Sequence, residues 1–162
     1  MADPLFVIDE LRDYLVTQGV GVDFYGTPSD TLPGIARAPK DGAPDPVDPW
    51  PATVTLRPTG TASQSPMEPW WESTAVEVVV RAKHAAAGQL IQRTIRGLIV
   101  PLDKPGGRKD WTMGNLNVYC SFQWRNESPI PVPQSLEQRD LNTYDTVQAF
   151  MFECSRRDLA GT

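Results

Sequence analysis

The chain has 162 residues, 40% hydrophobic and 22% charged, with a formal net charge of −5. That length fits one domain with room for one core, and the composition is ordinary for a soluble protein. An acidic balance argues against gripping nucleic acid by phosphate neutralisation, and two cysteines, Cys120 and Cys154, are too few for a disulfide framework.

Asp3 to Gln18 reads as a helix, with Asp3 as N-cap, Pro4 at the first helical position and Gly19 as the stop. Leu5, Phe6, Ile8, Leu11 and Leu15 mark its apolar stripe. A short extended piece follows from Val20 to Tyr25. From Gly26 to Pro51 the chain is rich in Pro, Gly and Asp. Ten of the sixteen prolines fall between Pro28 and Pro69. Proline fixes φ and lacks an amide donor, so residues 27–51 are expected as a loop or arm. Ala52 to Thr59 reads as a strand with Val54 and Leu56 on one face. Gly60 to Ser73 reads as irregular and contains Trp70 and Trp71.

Ala75 to Arg81 alternates, then Ala85 to Val100 takes a helical period. This switch from two to about 3.6 marks a strand packed under the helix that follows it. Pro101 ends that helix, and Pro105 to Asp110 is a turn or exposed loop. Leu116 to Trp124 alternates strongly, placing Leu116, Val118, Cys120, Phe122 and Trp124 on one face. The connection from Arg125 to Asn142 carries Pro129-Ile130-Pro131-Val132-Pro133. Prolines at alternate positions remove every donor along one edge, so this is an extended arm or a one-sided edge.

Thr143 to Cys154 is the last strand. Val147, Ala149 and Met151 lie on one face, Phe150 and Phe152 on the other. A half-solvated strand alternates more cleanly, so a partner subunit or a loop is expected over the second face. Residues 155–162 read as a frayed tail. The whole is a single α+β domain over residues 1–162. It has a small, mainly antiparallel mixed sheet with two helices packed on one face, in the order helix-strand-strand-helix-strand-strand.

Little in this chain reads as chemistry. His84 is the one histidine, and no Cys-x-x-Cys pair exists, so no metal cluster is expected. A Cys120–His84 dyad competes with a buried, inert thiol. Gly106-Gly107-Arg108-Lys109 lacks the spacing of a phosphate loop. The carboxylates of the first helix lie on its polar side. No catalytic, cofactor-binding or metal residue is named, and no cofactor is expected. Binding is carried instead by Trp70 and Trp71, as interface anchors or as rings folded on the local core. A basic set of Arg81, Lys83, His84, Arg93, Arg96, Arg108 and Lys109 is a contact or a solvated face. Ile130 and Val132 complete the interface candidates.

The unit Ala75–Arg81 before Ala85–Val100, then Leu116–Trp124, then Ser128-Pro129-Ile130-Pro131 leading to Tyr144–Glu153, resembles the tail terminator family of long-tailed bacteriophages. Members of that family are also described as minor capsid or tail completion proteins. The resemblance covers most of the chain after residue 50; the arm from Thr27 to Pro51 has no counterpart in it. It implies a structural protein, not an enzyme, that forms a homo-oligomeric ring, usually a hexamer. The ring would cap the head-proximal end of the tail tube, stop its polymerisation and join it to the head–tail connector. DNA would pass through without specific binding. The implied place is the virion tail, after assembly in the host cytoplasm, with no membrane involved: no apolar run approaches the ~18–20 residues of a membrane span, and the N-terminus lacks a signal peptide's basic region.

Rival readings are another connector or a tail tube subunit, a small carboxylate-dependent enzyme with two close acids, and a module displaying its proline-rich segment.

Overall fold

A computed structural model describes residues 4–37, 46, 49–59, 63–64, 71–101, 103, 108, 110–123 and 129–156, with the backbone alone at 4–6, 63–64, 71–72, 122–123 and 156. Helix α1 (Pro4–Thr17) buries Val7, Ile8, Leu11 and Leu15. Their spacing puts them on one helical face. Gly19, at φ +77°, ends the helix. Its amide donates to Val16 O at 3.0 Å, and the Val20 amide donates to Leu15 O at 3.1 Å. This pair of bonds is a Schellman stop, and Val20 and Leu15 meet in the same core cluster.

Strands β1 (Val22–Asp23), β2 (Gly34–Arg37) and β3 (Ala52–Pro58) pair in parallel. β2 lies inside the stretch read as a loop, which corrects that expectation. It forms because Ile35 enters the core opposite Val54. A four-residue strand between prolines is too short to show a period. Beside it, Phe24 stacks on Trp50 with ring centroids 5.7 Å apart. Gly34 makes room for that stack: a Cβ there would sit 2.8 Å from the Phe24 ring.

Strand β4 (Ser63–Gln64) pairs with β5 (Trp71–Ala82), which leads into α2 (Ala85–Ile99). Then come β6 (Trp111–Met113), β7 (Leu116–Gln123), β8 (Ile130–Val132), α3 (Leu136–Leu141) and β9 (Tyr144–Arg156). The nine strands among the described residues form one sheet in the order β1-β2-β3-β5-β9-β7-β6. β4 continues the β3 edge of β5, and β8 continues the β7 edge of β9. The fold is α+β with a mixed sheet, antiparallel from β3 onward. The expected order of two helices and four strands is too simple. α1 and α2 bury residues in one cluster with β3, β5, β7 and β9, whereas α3 contributes none. β9 also runs through Ser155, which is buried, so the frayed tail does not begin there; residues 157–162 lie outside the described residues.

The centre of the core is Phe150 and Phe152 of β9 against Val76, Val78 and Val80 of β5. Above it α2 buries Gly88, Gln92, Ile95 and Ile99, one per turn. Gln92 is fully buried, and its amide donates to Val78 O at 2.9 Å and to Thr146 O at 3.0 Å. β7 differs from the sequence reading. A bulge between Val118 and Cys120 inserts Tyr119 and reverses the faces beyond it. Ser121, not Cys120, joins the buried side, and Cys120 stands opposite Glu153.

Two glycines separate helix propensity from turn geometry. Gly97 of α2 is exposed, and a Cβ added there would meet nothing within 4 Å, so Gly97→Ala is expected to add about 0.5–1 kcal/mol of stability. Gly114 takes φ +60° as the first residue of the two-residue β6–β7 turn. A Cβ there would overlap the Glu10 carboxylate, which accepts the Asn115 amide at 3.2 Å. Gly114→Ala is expected to lose about 1–2 kcal/mol, from backbone strain and displacement of Glu10. Urea midpoints that move the same way for both variants would contradict this contrast.

Candidate functional site

Opposed residues on neighbouring strands share a face. Away from the helices, the register builds a row Ala36–Thr55–Val79–Val147–Ile130 across β2, β3, β5, β9 and β8. A second row, Thr53–Arg81–Asp145–Val132, lies on one side of it, and Arg57–Glu77–Ala149 on the other. Arg57 pairs with Glu77. Arg81 grips Asp145 through two bonds of 2.8 and 2.9 Å. The apolar row is therefore bordered by two cross-strand ion pairs. This is the second face of β9 whose apolar residues the sequence singled out. Ala36, Thr55, Val79 and Ala149 are buried within it.

The row ends at β8, where exposure begins: Ile130 is 47% and Val132 38% exposed. Both were interface candidates. Pro131 between them has no amide hydrogen, and among the described residues β8 pairs with β9 alone. The one-sided edge read from the alternating prolines is the form this segment takes.

The other candidates scatter. Trp71 opens β5, paired with Ser155, so it belongs to a strand and not to an irregular stretch; Trp70 and Lys109 lie outside the described residues. Arg108 is not a free loop cation. Its guanidinium sits 5.3 Å from the centre of the Trp111 ring and donates to the Tyr14 hydroxyl at 3.2 Å. Tyr14 in turn packs edge-on to Trp111 at 5.2 Å. This cluster fastens α1 to β6.

Arg93 and Arg96 behave differently. With Gln89 and Pro129 they line a hollow of about 230 Å³ between α2 and the start of β8. Arg12, Arg37, Arg57 and Arg81 each pair with a carboxylate. Arg93 and Arg96 have no ion pair among the described residues. Leu90, one turn earlier on α2, is 67% exposed.

Sequence reading missed α3 altogether. Ser135 and Gln138 form a full capping box, and Asn142 closes the helix in the left-handed conformation at φ 53°. The pattern Ser-x-x-Gln after Pro133 was the available signal. The helix is inverted relative to a core-facing one: it buries Gln138 and leaves Leu136 78% and Leu141 51% exposed.

The chemical candidates come apart. Cys120 lies level with Ser73 of β5 through Glu153, whereas His84 follows the far end of that strand. Ser73 to Ala82 spans about 30 Å at ~3.3 Å per residue, which removes the dyad. The helix-α1 carboxylates have structural partners. Asp9 binds Arg37 and, by accepting its hydrogen bond, raises the pKa of that guanidinium. Glu10 holds the β6–β7 turn, and Asp13 pairs with Arg12. Among the described residues no three His, Cys, Asp or Glu side chains are grouped to hold a metal, and no helix is long and apolar enough to cross a membrane.

The chain matches no protein-family model and no curated protein.

Proposed function

We propose that this chain is a structural virion assembly protein that forms a closed ring on the head-proximal end of a bacteriophage tail tube. There it stops polymerisation of the tube and joins it to the head connector. The supporting observation is the segment from Pro129 to Leu141. It carries Ile130, Val132, Leu136 and Leu141 to the surface in succession, next to a sheet edge that proline closes to further strands. A ring needs two different complementary surfaces on each subunit. Exposed leucines on a capped helix, and an exposed edge strand that cannot zip onto another sheet, supply apolar contact without open-ended β-pairing. The net charge of −5 suits a protein past which DNA must slide without being held.

The test is polymerisation of the cognate tail tube protein in the presence of this chain, followed by negative-stain imaging. The expected outcome is shorter tubes that carry one ring at one end. Tubes of undiminished length, or tubes built from this chain itself, would favour an unrelated role or a tube subunit respectively.

A further inference from the structure

We infer that α3 of one copy docks onto the Arg93–Arg96 notch of α2 on another copy. This rests on the ring reading for the identity of the partner and goes beyond it by naming the two surfaces.

Four residues of α3 fall on one arc of about 140°, at 100° per residue: Leu136, Asp140, Glu137 and Leu141. All four are exposed. Two carboxylates thus sit between two leucines, while Gln138 is buried behind them and Arg139 points off the arc. A short helix held by a capping box and a left-handed cap is fixed in shape. Turning its leucines outward costs free energy in an isolated subunit, and a partner surface removes that cost. The notch offers the complement: Arg93 and Arg96, unengaged by carboxylates among the described residues, with Leu90 on the same helical face and Pro129 as the facing wall. Leucine meets leucine, and two carboxylates meet two guanidinium groups that can take them in bidentate fashion. A phosphate backbone is a poorer occupant, because the chain as a whole is acidic.

The experiment is sedimentation velocity of the full chain over a range of concentrations, with three variants. Arg93→Glu/Arg96→Glu and Glu137→Arg/Asp140→Arg are each expected to weaken self-association on the order of 100-fold, since like charges then face each other. The four-fold variant restores opposite charges and is expected to recover most of the loss. Arg93, Glu137 and Asp140 are exposed and Arg96 is half-buried, so circular dichroism and thermal midpoints of each variant are compared with the parent to report a folded chain. If the parent assembles and both charge reversals assemble equally well, the docking contact is wrong while the ring reading stands. If the four-fold variant assembles no better than either pair, the two surfaces do not meet each other, and the contact is again wrong. A parent that stays monomeric at every concentration overturns the docking contact, and one that also stays monomeric beside preformed tail tubes overturns the ring reading as well. Arg93→Glu/Arg96→Glu that still assembles but no longer retains a short DNA duplex bound by the parent would assign the notch to phosphate instead.

Discussion

Gln92→Glu is expected to lose about 5 kcal/mol of stability at pH 7, and to regain most of it in acid. The side chain is fully buried on the core face of α2, and its amide donates to two carbonyl oxygens, of Val78 and Thr146. A carboxylate at that position brings acceptor against acceptor and a charge into the core. The group avoids this by taking up a proton, as the neutral acid can still donate to one carbonyl. Its folded-state pKa is then raised above the unfolded value of about 4.3. Below about pH 4.3 both states are protonated, and the pH-dependent part of the penalty vanishes. Above it the penalty grows by about 1.4 kcal/mol per pH unit until the folded-state pKa is reached. With burial keeping the folded-state carboxyl protonated up to pH 7, the interval from pH 4.3 to 7 amounts to roughly 3.7 kcal/mol, and one lost hydrogen bond adds about 1. Unfolding curves of variant and parent, taken side by side from pH 4 to pH 7, measure this difference. A difference that does not change with pH would mean that the position admits water or a cation.

The second large effect is expected at the Arg81–Asp145 pair, which joins β5 to β9 in register. The two side chains are 19% and 11% exposed, so the pair is mostly buried but not dry. Asp145→Ala removes the carboxylate and leaves a guanidinium in a place that water reaches poorly. Breaking a fully buried pair costs about 3–5 kcal/mol, and the residual exposure lowers the expectation here to about 2–3. Replacing both partners, as Arg81→Met/Asp145→Leu, is expected to recover most of that loss, because no charge is then left behind. Urea midpoints at unchanged m-value decide it. A double variant as unstable as Asp145→Ala would show that the ion pair itself holds the two strands together.

What the sequence disclosed follows from how local each signal is. The β5–α2 unit was legible because its period changes within a few residues and needs no distant partner. Gly19 as a helix stop was legible for the same reason, and so was β8, since alternating prolines state which edge lacks donors. β2 was hidden because Gly34–Arg37 is four residues long and becomes a strand only when Val54 supplies its partner. The faces of β7 reverse at Tyr119, and no residue type marks such an insertion. That single bulge moved Cys120 off the face where alternation put it. Arg108 passed as a loop cation since its partners, Tyr14 and Trp111, include one ninety-four positions away. α3 had a readable start in its capping box, but its leucines face outward. A reading that assumes buried leucines finds no core for such a helix.

The proposed role requires that copies of this chain close on themselves at the end of a tail tube. Native mass measurement of the purified chain mixed with short preformed tubes tests it most directly. One closed species of fixed copy number is expected, bound at one per tube and unchanged as the chain is added in excess. A chain that remains monomeric beside the tubes, or a ladder of masses that climbs without limit as more is added, would contradict it.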